Sequence, residues 1–168
     1  KLIYNVGDKK CINCKIKTIK NKKIPKINIV KKQVVDSRHA FQITSMMEGV
    51  IERGTAKKLS KLNVPIAGKT GTTNDNKDAW FIGYSPDLVI GIYVGYDKPK
   101  SLGYKQTGSS VSVPIFEILA KKINLNSNFV PFRIPSGISF VKIDPNTGLS
   151  SNENNSILEP YLVGTEPF

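Results

Sequence analysis

Lys69, Thr70, Gly71 and Thr72 are the residues of this 168-residue chain best equipped for chemistry. An ammonium, a hydroxyl, a position without a side chain and a second hydroxyl follow one another, and Thr73 adds a third hydroxyl. They sit where a strand-like run, Val64-Pro65-Ile66-Ala67, gives way to a polar turn. On an exposed strand, that order sets positive charge and O–H donors against an anionic ligand. Gly71 removes the side chain that would hold a ligand off the backbone. A free N–H just beyond it could face a reacting carbonyl oxygen. Taken alone, Lys-Thr-Gly is a short string, and a solvated lysine entering a turn is the plainer reading.

The other reactive residue types lead elsewhere. Cys11-Ile12-Asn13-Cys14 offers two ligands where a tetrahedral metal site needs four, and His39 is the only histidine. No thioredoxin-like βαβ context surrounds the pair. A small disulfide in an oxidising compartment, or two inert thiols, is therefore expected over a metal, and no cofactor is expected. His39 reads as a solvated residue in the first turn of a helix. The net charge of +12 is uneven, because residues 1–35 hold eleven lysines against the single acid Asp8. Lysines nevertheless outnumber arginines 22 to 3, and no aromatic residue interleaves lysines 9–32. Nucleic-acid readers use arginine forks and stacked aromatics, so no nucleic-acid partner is expected. The basic block reads as a solvated face, with at most a weak attraction to anionic membrane or wall polymer.

Positioning these residues needs a framework, and the length suits one domain. No apolar run reaches the ~20 residues that span a bilayer. Residues 1–35 mix β-branched residues with lysines, at times in alternation, which predicts a basic β-rich insertion with strands near 2–6, 11–19 and 27–35. Asp36 and Ser37 offer N-caps. Ala40, Phe41, Ile43, Thr44, Met47, Val50 and Ile51 follow at helical spacing, predicting a helix over 37–52 that stops near Gly54. Strands are expected at 64–73, 78–84 and 88–96, the last a buried one. Asn74-Asp75-Asn76-Lys77 and Ser85-Pro86-Asp87 form the turns, and connections this short give an antiparallel meander. Trp80 and Phe81 read as core. A Gly-rich loop over 101–110 should lead to a helix laying Val111, Ile115, Ile118 and Leu119 on the sheet, with Pro114 near its start. Residues 36–123 thus form an α+β core of antiparallel sheet with packed helices. Residues 124–168 read as an extended tail with one strand and turn at 137–148.

Residues 66–97, IAGKTGTTNDNKDAWFIGYSPDLVIGIYVGYD, closely resemble the third-motif region of the penicillin-binding transpeptidases, specifically the bifunctional class A kind. Residues 41–55, FQITSMMEGVIERGT, look like the helix and turn that precede the motif there. Ser101-Leu102-Gly103, Thr107-Gly108-Ser109-Ser110 and Pro114-Ile115-Phe116 are similar to the family's closing helix. The likeness runs over roughly 36–123 and continues more thinly to both ends. It implies part of a penicillin-binding or β-lactamase-like transpeptidase fold.

The family works with Ser-x-x-Lys, Ser-x-Asn and Lys-Thr-Gly. No serine before Lys69 is followed three residues later by lysine, and Ser139-Phe140-Val141-Lys142, which has that spacing, follows Lys-Thr-Gly. Ser150-Ser151-Asn152 has the second motif's letters but follows Lys-Thr-Gly, so it reads as a polar loop. The chain is therefore expected to be the C-terminal part of a D,D-transpeptidase, a fragment inactive alone, that holds the Lys-Thr-Gly wall but not the nucleophile. The resemblance implies serine acyl transfer on D-Ala-D-Ala stem peptides of peptidoglycan and acylation by β-lactams. It also implies a place on the outer face of a bacterial cytoplasmic membrane, held through a missing N-terminal part with an attached glycosyltransferase domain. Carried over, Lys69 supplies charge in the cleft and assists proton movement, and Thr70 and Thr72 contact the substrate carboxylate. Gly71 admits the ligand, and Thr72 N–H is one oxyanion donor. The rival readings are a β-lactamase or β-lactam sensor, and a non-catalytic basic module that binds a polyanion. An apolar face meant for the missing half would promote self-association.

Overall fold

The computed structural model describes the backbone of residues 9–12 and 26–29, and residues 33–123 and 130–168 in full. Two compact units emerge, Lys1–Asp36 and Ser37–Phe168. In the first, β1 (Lys9–Ile12) pairs antiparallel with β2 (Lys26–Ile29). Lys9, Lys10 and Lys26 are thus strand residues although they lie outside the expected strand ranges, and residues 33–35 lie outside any strand. Cys14 and the rest of the expected strands fall outside the described residues.

The second unit begins with α1 (Ser37–Glu52), which has the expected bounds and buries Phe41, Gly49 and Ile51. A tight turn follows. Ala56 N–H returns to Val50 C=O at 3.1 Å, and Ala56 itself is fully buried. A 3₁₀ turn over Lys57–Leu62 then sinks Leu59 and Leu62, and Asn63 closes it in the left-handed region at φ 53°. Neither feature announces itself in the sequence, because six residues of 3₁₀ helix carry no long hydrophobic period.

β3 (Ala67–Thr72), β4 (Asp78–Tyr84) and β5 (Val89–Gly95) form the antiparallel meander in the order β3-β4-β5. β3 starts three residues later than expected, beyond Pro65, which has no N–H to give a ladder. The β3–β4 connection is a short 3₁₀ turn in which Asp75 and Asn76 sit at φ 61° and 52°. Asp and Asn tolerate that conformation better than other side chains.

One face of this sheet is packed. Phe81 and Ile92 meet Leu59, Leu62, Ile66, Val113, Phe116 and Ala120, with Phe81 and Phe116 edge to face at 4.9 Å, and Ala79 on the same face is fully buried. α2 (Val113–Lys122) supplies the last three, and it follows a π-type turn over Gly108–Ser112 capped by Thr107. The expected α2 stripe is therefore out of phase. Val113, Phe116 and Ala120 are buried, while Ile115, Ile118 and Leu119 are exposed. The helix is apolar nearly all round, so period alone does not choose the buried face.

The tail forms a hairpin, β6 (Ile138–Ile143) with β7 (Ile157–Leu162), lying against α1. Phe140 stands edge to face with Phe41 at 6.1 Å, Gln42 donates to Pro160 C=O at 3.1 Å, and Arg53 pairs with Glu159. Ser150 bridges Ile143 inside the hairpin, so Ser150-Ser151-Asn152 is a structural return of the chain.

Candidate functional site

β3 places Lys69, Thr70, Gly71 and Thr72 together on one strand, which is an edge strand among the described residues. Neither Lys69 nor Gly71 is sealed in the core. Register settles which way their groups point. Thr73 N–H bonds to Asp78 C=O at 3.1 Å, which marks 73/78 as a hydrogen-bonded pair. Alternation along an antiparallel ladder then makes Gly71/Trp80 and Lys69/Ile82 bonded pairs as well. The N–H and C=O of Thr70 and Thr72 are left pointing out of the sheet at its open edge. Lys69 Nζ uses one of them, donating to Thr70 C=O at 2.8 Å.

Side chains alternate across the two faces. Lys69 and Gly71 share a face with Trp80, Ile82 and Tyr93. A Cβ added at Gly71 would meet Trp80 Cβ at 3.3 Å, so the glycine leaves a bare stretch of backbone beside the indole. Trp80 is 41% exposed and stacked on Tyr93 at 4.6 Å, a correction to its reading as core. β5 likewise alternates, with Val89 and Tyr93 exposed, where a fully buried strand was expected.

Thr70 and Thr72 point to the opposite face and meet two other segments. Thr70 Oγ1 is 2.8 Å from Thr55 Oγ1, in the turn after α1. Thr72 Oγ1 accepts from Gly108 N–H at 3.0 Å, at the start of the π-type turn. Ser109 Oγ donates to Thr55 C=O and ties those two segments to each other. Gly108 is needed for the approach, since a Cβ there would lie 2.3 Å from Trp80 C=O and 2.6 Å from Gly71 C=O. Residues Thr55, Gly108 and Ser109 sit in stretches already noted for their likeness, yet no spacing rule linked them to β3. A small hydroxyl residue directly after a glycine, Thr55 after Gly54 and Ser109 after Gly108, was the available signal.

The turn end of β3 is braced by Asp78. It accepts from Thr73 Oγ1 at 3.0 Å and from Tyr93 Oη at 2.9 Å. The hydrogen bond to Asp78 pushes the Tyr93 phenol up from its ordinary value. No group of three or more His, Cys, Asp and Glu residues suited to a metal occurs among the described residues. His39 is exposed in the first turn of α1.

A separate cavity of about 580 Å³ lies where the chain enters β3, lined by Glu48, Ile51, Glu52, Asn63, Val64 and Pro65 among others. Burial, and secondarily the neighbouring Glu52, push the Glu48 carboxyl up to about 7. None of residues 69–72 lines it.

Comparison with known proteins places this geometry. The penicillin binding protein transpeptidase domain matches residues 9–121. Penicillin-binding protein 1A of Rickettsia bellii is 40% identical over 167 residues, covering 97% of this chain and 21% of the relative. Penicillin-binding protein 1A of Neisseria lactamica is 49% identical over 85 residues, half of this chain. The crystal structure of penicillin-binding protein 1A from Haemophilus influenzae superposes with a TM-score of 0.72 at 30% identity, over 82% of this chain and 22% of that one. The chain spans about a fifth of the length of the curated relatives it matches.

Proposed function

This chain belongs to the penicillin-binding protein transpeptidase domain family, and from that premise we propose that it supplies one wall of the acyl-transfer cleft of a peptidoglycan D,D-transpeptidase. In the complete enzyme a serine outside this chain attacks the carbonyl of the penultimate peptide bond of a D-Ala-D-Ala stem peptide. The C–N bond breaks and D-alanine leaves with the proton. The acyl ester is then taken by an amine of a neighbouring strand, which cross-links the polymer. β-Lactams occupy the same cleft, and acylation leaves the serine blocked.

The observation that carries this reading is the open edge of β3. The Thr72 N–H points out of the sheet, beside a glycine and an ammonium, where a developing oxyanion would need a donor. Lys69 donates to Thr70 C=O within the strand, so its charge lies along that edge, in reach of a ligand carboxylate and of a proton in transit. An extended peptide could pair there by strand addition, with main-chain bonds setting its register. Thr70 and Thr72 supply hydroxyls to the carboxylate. In this reading the parent protein lies on the outer face of the bacterial cytoplasmic membrane and carries a glycosyltransferase domain, as the resemblance to the class A kind implies. No helix among the described residues is long and apolar enough to cross a membrane. The lysine-rich block of residues 1–35 has no part in this reading.

Gly71→Val in the complete transpeptidase tests the proposal. Bulk at that position displaces the ligand from the Thr72 N–H, and losing one oxyanion donor slows acylation by about 10²–10³. Labelling by a fluorescent penicillin reads the rate, with the melting temperature as a control for folding. Unchanged labelling would overturn the assignment.

A further inference from the structure

Thr55 is held as firmly as a strand residue although it lies in a turn. Gly54 on one side approaches helix α1 so closely that a Cβ would fall 2.8 Å from Val50 Cα. On the other side Ala56 is fully buried and bonds back to Val50 C=O. Thr55 C=O is taken by Ser109 Oγ, and Thr55 Oγ1 lies 2.8 Å from Thr70 Oγ1. Three elements thus converge on this one turn, and one of them, β3, meets the Thr55 hydroxyl.

We propose that Thr55 is a positioning residue for carboxylate recognition, whose hydroxyl donates to Thr70 Oγ1 and leaves the Thr70 proton free for the ligand. This rests on the reading of Thr70 and Thr72 as carboxylate contacts given above. An ionised carboxylate only accepts, so any hydroxyl that touches it must donate. Thr72 meets that condition by construction. Its oxygen already accepts from Gly108 N–H at 3.0 Å, and its proton has no partner among the described residues. Thr70 meets it only if its oxygen accepts from elsewhere, and Thr55 is the hydroxyl in place to give that proton. Chains of this kind also polarise the terminal O–H, which strengthens its bond to an anion. The cradle for the carboxylate is therefore built by the turn after α1 and the start of the π-type turn. β3 carries the two hydroxyls that touch the ligand.

The test uses the complete transpeptidase that contains this chain, with a fluorescent penicillin and the methyl ester of the same compound as probes. The wild type should be acylated faster by the acid than by the ester. Thr55→Val, which keeps the shape and removes the hydroxyl, should lower acylation by the acid about tenfold, the scale of one hydrogen bond to a charged group. The loss should appear in the concentration for half-maximal rate, not in the limiting rate. The ester should be unaffected, and Thr55→Ser should restore the acid. The acid-to-ester ratio is taken within each preparation, so a lowered folded fraction cancels. Equal losses for acid and ester in Thr55→Val, or no loss, would overturn the role of Thr55 while leaving the carboxylate reading standing. A wild type indifferent to esterification would overturn the carboxylate reading itself, and the role of Thr55 with it.

Discussion

The two faces of the β3-β4-β5 sheet were made from alternate residues of the same strands, and they differ sharply. On one, Phe81 is 0% exposed against Phe116 of α2, and the surrounding residues close over it. On the other, Trp80, Ile82 and Tyr93 are 41%, 49% and 49% exposed. Both sets are apolar, so composition does not explain the contrast. What differs is the partner. The 3₁₀ turn and α2 cover the first face, and nothing among the described residues covers the second around Trp80. Lys69 and Gly71 lie on the uncovered side, whereas Thr70 and Thr72 face the covered one and are held there by Thr55 and Gly108. The edge strand thus joins a rigid half, which fixes hydroxyls and backbone, to an open half beside Lys69 and Gly71. Preorganised donors need that stiffness behind them.

The largest expected effect breaks the finished face. Phe81→Ala removes a fully buried ring with an edge-to-face partner, and such truncations cost about 3–5 kcal/mol. Urea unfolding followed by circular dichroism should show the midpoint falling steeply. A loss under about 1 kcal/mol would mean that this face is not the packed core.

The boundaries of α1 and β4 were legible, since Ser37, Gly54, Asn74 and Pro86 punctuate periodic runs and the elements have the expected limits. The meander was legible too, because loops of four and three residues leave no other pairing. Side-chain direction was less so. Trp80 and Phe81 are adjacent and both aromatic, and only the position of α2 decides which is covered. The phase of α2 failed for the same reason, as a helix apolar on all but its Glu117–Lys121 side offers several stripes. The site divides in the same way. Lys69 through Thr72 are contiguous and were read directly. The contacts Thr55–Thr70 and Ser109–Thr55 span 15 and 54 residues and follow from packing alone.

A second unfinished region sharpens the comparison with a charge in place of a ring. Glu48 lines the cavity at the entry to β3, and burial with Glu52 nearby raises it from 4.5 to about 7. Arg53, the first basic residue after α1, is already engaged by Glu52 and Glu159. A carboxyl whose folded pKa exceeds its unfolded one binds its proton more tightly when folded. Its contribution is therefore present below pH 4.5 and is lost as pH rises through 7. Glu48→Gln should match the wild type at pH 4 and exceed it at pH 8 by about 1–2 kcal/mol, after allowing for solvent screening of a half-exposed group. Urea midpoints at the two pH values decide the matter. A variant no more stable than the wild type at pH 8 would show that Glu48 is solvated and the cavity is no strain on the fold.

The smallest effect is the most telling about the open face. Trp80→Ala keeps the Cβ that lies against Gly71 and removes an indole whose described aromatic partner is Tyr93. An aromatic pair of that kind is worth about 0.5–1.5 kcal/mol beyond its area. In this chain the substitution should therefore cost only about 1 kcal/mol, a fraction of the Phe81 penalty. The same substitution in the complete transpeptidase should cost more, about 3 kcal/mol, because an apolar face of this size is normally covered by the rest of a domain. Differential scanning of both proteins gives the two numbers. An equal, small cost in both would mean that Trp80 and Ile82 stay bare in the whole enzyme. The indole beside Gly71 would then belong to the ligand's side of the cleft, and the face would be unfinished because the substrate covers it.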